Sequence, residues 1–436
     1  MKTLGVVGLG YVGLPLAVQA TEKGYSVIGV DTNSSLVDTV NSRKSPYIND
    51  DRFAEAISKI PPDTLKVSSS YGDLSNVENI VICVPTPTDN NVPDLSYVEK
   101  SAEQVASVLR PGQFVSLEST VNPGVTREVV LSVLENSSGL KVGIDFNLAH
   151  CPERIDPGNT KYFVGNLNRV VGGITSDCTK RAFDFYSSVI DAKIIALGSA
   201  EEAEFVKSWE NSHRNVMIAL ANSAAIICDA LDMDISRVLL GLQSKVDQFG
   251  LSLARPGIGP GGHCIPDDIH YVIKRARQSG IDTRFLDDAA DLNDKMPRYA
   301  VQKLTNMIHD KGEDISQLSI ALLGLAYKPD IADFRRSPSI EVGYQLVRVS
   351  KNLIIHDPYV LDHPQVVKGA SVIEDLDIVL DNADAIFIGT GHSYYKDMLT
   401  VDKLKEKGIR FILDGRNCLE GNDFRSSDIY YKGIGR

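Results

Sequence analysis

No two of the six cysteines, Cys83, Cys151, Cys178, Cys228, Cys264 and Cys418, stand at CxxC spacing. That pattern argues against a zinc cage and against a disulfide framework, so no metal site is expected and the thiols suit a reducing compartment. Long hydrophobic runs are absent too. The stretch from Leu4 to Leu9 is too short and too interrupted by glycine for a signal peptide or a membrane span, and it reads as a buried strand. A cytoplasmic location without a membrane partner is expected. Positive charge is in deficit: 45 Lys+Arg face 57 Asp+Glu, a formal charge of -12, and no basic patch is segregated. Such a surface repels nucleic-acid backbones, while a small anionic substrate held by a few cations in a cleft remains compatible with it. Tryptophan occurs once, at Trp209, and no low-complexity segment or short-period repeat is present.

What is present is an ordinary globular composition, 43% hydrophobic over 436 residues, a length that favours two or three domains. Short β-branched runs alternate with amphipathic helix-length stretches from Leu4 onward, the rhythm of βαβ units. Strands are predicted at 4–7, 26–30, 80–84 and 114–117. Residues 203–230 contain neither proline nor glycine and predict one long helix, with further helices to about residue 309. A second alternating region follows, with strands predicted at 318–323, 352–355, 385–389 and 410–414. The expected architecture is α/β: two Rossmann-like open parallel-sheet domains, 1–198 and 310–436, joined by a central helical domain, 199–309.

Gly8-Leu9-Gly10-Tyr11-Val12-Gly13 follows the first strand and opens a helix, and Asp31 ends the second strand. Gly8 permits the tight turn, Gly10 lets the backbone approach a pyrophosphate, and Gly13 allows close packing of helix on sheet. Asp31 would accept hydrogen bonds from ribose hydroxyls and repel a 2'-phosphate, which favours NAD over NADP. Thr86, Thr88 and Glu118-Ser119-Thr120 follow strand ends, as does Pro152-Glu153-Arg154; their side chains either reach a cofactor at the sheet edge or merely cap helices. Cys264 stands in Arg255-Pro-Gly-Ile-Gly-Pro-Gly-Gly-His263-Cys264-Ile-Pro-Asp-Asp268. So many glycines, Gly261 among them, let the chain pass close to a ligand, which marks Cys264 as the candidate nucleophile among the six. Lys207, Asn211 and Arg214 fall at i, i+4 and i+7 of the long helix, either a solvated stripe or a purposeful polar face. Phe205 and Trp209 lie on other faces, so protein contact is expected on both sides of this helix. Lys328, the Asp333-Phe-Arg335-Arg336-Ser337-Pro338 segment and Asp414-Gly-Arg416 mark edges of the second α/β region. Their basic residues suit either a second phosphorylated ligand or solvent.

These motifs together resemble the UDP-glucose/GDP-mannose dehydrogenase family from end to end: GLGYVGLP at Gly8–Pro15, VPTP at Val84–Pro87, EST at Glu118–Thr120, CPER at Cys151–Arg154, Lys207 with Asn211, GGHC at Gly261–Cys264, LAYKP at Leu325–Pro329 and DGR at Asp414–Arg416. The resemblance implies a four-electron oxidation of a sugar C6 hydroxymethyl to a carboxylate, with two NAD consumed and a thiohemiacetal and thioester carried on Cys264. It further implies that Lys207 and Asn211 stand at the substrate oxygen, that Asp268 acts with water as a base, that Glu153 assists hydrolysis and that Thr120 holds cofactor or water. Arg335 is implied as a cofactor contact, Lys328 and Arg416 as ligands of the nucleotide diphosphate, and a homodimer or larger homo-oligomer as the assembly. Two departures stand out. Cys-Pro-Glu-Arg-Ile-Asp-Pro-Gly-Asn, with Pro157 where UDP-glucose enzymes carry a second glutamate, looks more like enzymes acting on UDP-N-acetylglucosamine, with UDP-N-acetylmannosamine dehydrogenases close competitors. A UDP-glucose 6-dehydrogenase and a two-electron dehydrogenase of the hydroxyacid type, which would need Lys207 but not Cys264, are the alternatives. Leu36 and Arg336 replace the family's usual lysine and glutamate.

Overall fold

Thr3–Val7 (β1) is apolar on both faces, Leu4 and Val6 facing one buried cluster and Val7 another, so it belongs inside a sheet rather than at its edge. The computed structural model describes residues 2–47, 51–89, 92–155, 163–249, 253–262, 264–360, 366–424 and 427–436. His263 and Pro157 lie outside them. Within them the chain divides into two units, residues 1–210 with 270–279, and residues 211–269 with 280–436.

In the first unit β1 is followed by Ser26–Val30 (β2), Leu65–Ser68 (β3), Asn79–Ile82 (β4), Thr88–Asp89 (β5), Val92–Pro93 (β6), Phe114–Leu117 (β7), Asn147–His150 (β8), Arg169–Gly173 (β9) and Ile194–Ala196 (β10). Eight of these form one sheet in the order β10-β9-β8-β7-β4-β1-β2-β3, while β5 and β6 make a small separate pair. Val7 stands opposite both Val30 and Ile82, which aligns the carboxyl ends of β1, β2 and β4 where the strand order reverses. Ligands of open α/β sheets bind at such an edge. The sheet is parallel, as expected, apart from the pairing of β8 with β9, which is antiparallel. The helices are Gly13–Glu22 (α1), Ser34–Asn41 (α2), Asp51–Ser58 (α3), Ser96–Val108 (α4), Ser132–Ser138 (α5) and Ser176–Val189 (α6).

The long helix is Ala200–Ala230 (α7), three residues earlier than its lack of breakers predicted, and it is followed by Ile235–Phe249 (α8), Cys264–Gln278 (α9) and Arg284–His309 (α10). The second unit holds a wholly parallel six-stranded sheet: Ser319–Leu323 (β11), Asn352–His356 (β12), Ser371–Val372 (β13), Ala385–Ile388 (β14), Phe411–Asp414 (β15) and Tyr430–Gly433 (β16), in the order β13-β12-β11-β14-β15-β16. Gly389, predicted inside a strand, falls just beyond β14, where a Cβ would stand 2.7 Å from the Gly324 carbonyl oxygen. Pro338–Val349 (α11) starts at the predicted proline, with Ser337 as its N-cap accepting from the Ser339 amide. Among the described residues no helix is long and apolar enough to cross a membrane.

Candidate functional site

At the end of β1 the backbone turns sharply. Gly8 has φ +86°, and a Cβ there would lie 2.7 Å from the Cys83 carbonyl oxygen. At Gly13 a Cβ would lie 1.9 Å from the Gly8 oxygen, so α1 packs this closely only because the residue is glycine. Gly10 is the opposite case: among the described residues, its own chain neighbours aside, no atom lies within 4 Å of where its Cβ would be, leaving the backbone open to a close-lying ligand. Among the described residues no side chain caps α1 at Val12; the Leu14 amide donates to the Gly10 carbonyl at 3.2 Å, so an anion at this helix start would meet the amides that precede it. Asp31 accepts from the Leu9 amide at 2.8 Å and the Asn33 amide at 2.9 Å, which pins the carboxylate beside the glycine turn. A carboxylate has about four lone-pair directions, so acceptor capacity remains for a ribose. Tyr11 is 72% exposed and stacks on Tyr47, whose hydroxyl donates to the Gly10 carbonyl. The Thr86 hydroxyl donates to the Thr120 carbonyl at 2.8 Å and that of Ser119 to the Val84 carbonyl at 2.7 Å, tying together the loops after β4 and β7. Thr88 contributes backbone to β5, and its side chain lies outside the described residues. Open Gly10, an uncapped helix start and a placed Asp31 fit NAD.

Glu153 is buried. Its Oε1 accepts from the Arg154 and Ile155 amides, both at 2.6 Å, and its Oε2 is paired with Arg169 at 2.5 Å. The fully buried Arg169 guanidinium also donates to Glu118 at 3.1 Å, and Glu118 accepts from the Tyr186 hydroxyl at 2.8 Å. Burial raises the Glu118 carboxyl above its ordinary range, with Arg169 opposing the shift. Arg154 donates to Glu210 through Nε at 3.0 Å and to the Asn168 carbonyl at 3.1 Å.

In the second unit Cys264 is the first residue of α9 and is half-buried. A thiolate is favoured at a helix N-terminus, where the dipole supplies partial positive charge. Asp268, one turn later and buried, accepts from the Asn211 amide group at 2.7 Å, so the candidate nucleophile's helix and α7 are joined by two of the candidate residues. Lys207 precedes Asn211 by one turn of α7 and is half-buried, whereas Arg214, on the same stripe, is exposed. Phe205 and Trp209 correct the sequence expectation: rather than being covered by protein in this chain, they stack on each other with ring centroids 5.4 Å apart and remain 42% and 45% exposed.

The glycine loop before Cys264 runs along the edge of the second sheet. The Ile258 amide donates to the Gly415 carbonyl at 3.2 Å, and Arg416 donates to the carbonyls of Gly259 at 3.0 Å and Gly389 at 2.9 Å. Its Nη2 is buried with no hydrogen-bond partner among the described residues, and burial lowers the guanidinium to about 10. A buried unmatched donor beside a switch point suits a phosphate. Gly261 lies against Tyr327 and Pro338. Lys328 follows in the loop after β11, whose shape is set by Asp357, which accepts from the Leu325 and Ala326 amides, and by His392, whose Nδ1 accepts from the Asp330 amide at 2.9 Å. Arg335 is exposed and held by Asp333 through its Nε and Nη2.

Family models match the chain in three consecutive pieces: the NAD binding domain of the UDP-glucose/GDP-mannose dehydrogenase family at residues 2–190, its central domain at 201–295 and its UDP binding domain at 321–421. The UDP-N-acetyl-D-mannosamine dehydrogenase of Pyrococcus horikoshii is 34% identical over 438 residues, 99% of each chain. The chain belongs to the UDP-glucose/GDP-mannose dehydrogenase family. The solved UDP-D-ManNAc dehydrogenase structure from Pyrococcus horikoshii superposes with a TM-score of 0.89 at 32% identity, covering 100% of this chain and 99% of that one. The UDP-N-acetyl-D-glucosamine 6-dehydrogenase of Salmonella typhi is 32% identical over 400 residues, 92% of each chain. This family member is an NAD-dependent nucleotide-sugar dehydrogenase acting on a UDP-sugar.

Sequence reasoning missed Arg169, Asp357, His392 and the partner of Arg336. Arg169 was discoverable: an arginine opening the apolar run Arg-Val-Val-Gly-Gly must either be solvated or meet buried acids. The others depend on contacts between residues 32 to 69 positions apart, for which a single sequence carries no local signal.

Proposed function

We propose that the chain oxidises the C6 hydroxymethyl of a UDP-N-acetylhexosamine to the uronate through a covalent adduct on Cys264. One observation carries the reading: Cys264 heads α9, Asp268 follows one turn later, and Asp268 is bonded to Asn211, which stands one turn after Lys207 on α7. NAD, when bound, supplies the hydride acceptor for both oxidations.

The primary alcohol first loses hydride and a proton and becomes the aldehyde. The Cys264 sulfur then adds to the carbonyl carbon, and the carbonyl oxygen gains a proton to give the thiohemiacetal. An aldehyde is a poor hydride donor, whereas the tetrahedral adduct is a good one; loss of a second hydride and proton leaves a thioester. Water adds to the thioester, the C–S bond breaks, and carboxylate and thiol are released. The Lys207 ammonium and Asn211 amide stabilise negative charge on the substrate oxygen. Asp268 works with water as the base, Glu153 assists hydrolysis, and Thr120 holds cofactor or water. Gly8, Gly10, Tyr11, Val12, Gly13, Asp31, Thr86, Thr88 and Arg335 serve the cofactor; Arg154, Arg214, Gly261, Lys328 and Arg416 serve the UDP-sugar. The work divides over residues 1–198, 199–309 and 310–436. A homodimer or larger assembly is part of the reading, supported by exposed Leu220, Ile227 and Leu231 along and just beyond α7 and Leu240 and Leu242 on α8. A reducing, cytoplasmic setting keeps Cys264 a thiol.

The names of the relatives favour the manno epimer, since the protein 34% identical carries that name and the one 32% identical carries the gluco name. The Cys-Pro-Glu-Arg-Ile-Asp-Pro-Gly-Asn pattern keeps the gluco epimer as the second reading. NADH formed per sugar consumed decides, with UDP-N-acetylmannosamine, UDP-N-acetylglucosamine and UDP-glucose supplied in turn to wild type and Cys264→Ala. Two NADH from one of the N-acetylated sugars, lost in the variant, is the expected result. One NADH, unaffected by the substitution, would exclude the thioester route.

A further inference from the structure

Both sides of Cys264 are anchored on the segment from Tyr327 to Pro338. Upstream, a Cβ on Gly261 would stand 2.6 Å from Tyr327 Cβ and 2.8 Å from Pro338 Cδ, and one on Gly262 would stand 3.1 Å from the Tyr327 ring. The Gly262 amide donates to the Arg335 carbonyl at 3.2 Å. Downstream, in the first turn of α9, the side chain of Asp267 is 2% exposed and is paired with the Arg336 guanidinium. Arg336 takes φ +48°, a left-handed conformation that an arginine adopts only where its surroundings hold it.

We propose that Arg336 is a positioning residue for Cys264: by gripping Asp267 it fixes the first turn of α9, and the thiol that opens it, against the Tyr327–Pro338 segment. A carboxylate buried this deeply is costly to leave without its cation, so the pair selects one placement of the turn over others. Attack on a carbonyl tolerates little misplacement of the sulfur, which makes that selection visible in the rate. The proposal rests on Cys264 being the nucleophile.

The test compares the full-length wild type with Arg336→Gln, Arg336→Lys, Asp267→Asn and the Arg336→Gln/Asp267→Asn double variant. Turnover of the UDP-sugar is measured alongside the pH profile of Cys264 alkylation by iodoacetamide in the absence of substrate. Either charge-removing single change is expected to lower kcat about tenfold with little change in KM, and to move the alkylation profile. The double variant is expected to be no worse than either single one, and Arg336→Lys to recover much of the loss. Losses that multiply in the double variant, or an alkylation profile that does not move, would overturn the role given to Arg336. Asp267→Asn is nearly isosteric and keeps the test informative should Arg336→Gln fold poorly. Cys264→Ala separates the two readings: two NADH per sugar from that variant would remove the nucleophile itself, whatever Arg336 does.

Discussion

His150 illustrates how a single buried side chain ties stability to pH. It is fully buried at the end of β8, its Nδ1 3.4 Å from the Thr126 hydroxyl and its Nε2 with no hydrogen-bond partner among the described residues, and burial lowers it to about 3. As pH falls below about 6.5 the unfolded chain takes up a proton that the folded chain refuses until about 3, so stability is lost across that window. Between pH 7.5 and 5.5 this one group should cost about 1 kcal/mol. The urea midpoint of His150→Gln should therefore fall less over that interval than that of wild type; an identical fall would mean that His150 takes up its proton as readily in the folded chain as in the unfolded one. The residue carries no sequence signal of this kind, since His-Cys-Pro at the end of an apolar run reads equally as an exposed strand end. Gly8, Gly13 and Asp31 were legible, because their demands are local: a turn, a close packing and a carboxylate one strand away.

At the scale of elements, α7 and α10 are joined by a polar ladder that hydrophobic periodicity does not reveal. The Asn293 amide group donates to the Asn215 side-chain and backbone oxygens, both at 2.9 Å, and accepts from Asn222 at 2.9 Å. Asn222 in turn accepts from the Gly257 amide at 2.9 Å, and Asn215 donates to the Ile265 carbonyl at 3.2 Å, one residue past Cys264. The ladder thereby holds both the glycine loop and the start of α9. Asn293→Ala leaves Asn215 and Asn222 with unmet buried groups and should lower unfolding stability by about 2–3 kcal/mol, read from chemical denaturation. A loss below about 0.5 kcal/mol would show that the ladder contributes no more than an exposed hydrogen bond. Helix α7 itself was legible as an element, from 28 residues without proline or glycine, 203–230. Which of its faces is covered was not, and Phe205 and Trp209 show why: periodicity identifies an apolar residue but not the neighbour that covers it.

For the whole molecule, the proposed reading assigns NAD to the edge after β1 and UDP to the edge after β11 and β15, and each ligand is expected to protect the backbone amides it meets. In hydrogen exchange, NAD should slow amides of the turn after β1 and the loop at Asp31, while UDP should slow those of 324–330 and 415–419. Protection of 324–330 by NAD alone, with UDP protecting the β1 turn, would reverse the assignment of the two edges. The architecture of two α/β regions around a helical stretch is written in the alternation of β-branched runs with amphipathic ones, because strands buried on both faces need continuous apolar sequence. The dinucleotide turn, Cys264 in its glycine loop and the long helix were likewise determined by the sequence alone, since each rests on neighbours in the chain. Tertiary structure alone decided the antiparallel pairing of β8 with β9, the burial of Glu153 against Arg169, the bond from Asn211 to Asp268 and the grip of Arg336 on Asp267. Each of these is a pairing of polar groups brought together from distant positions, and its stability depends on exclusion of water, a property of the folded environment that no local pattern encodes.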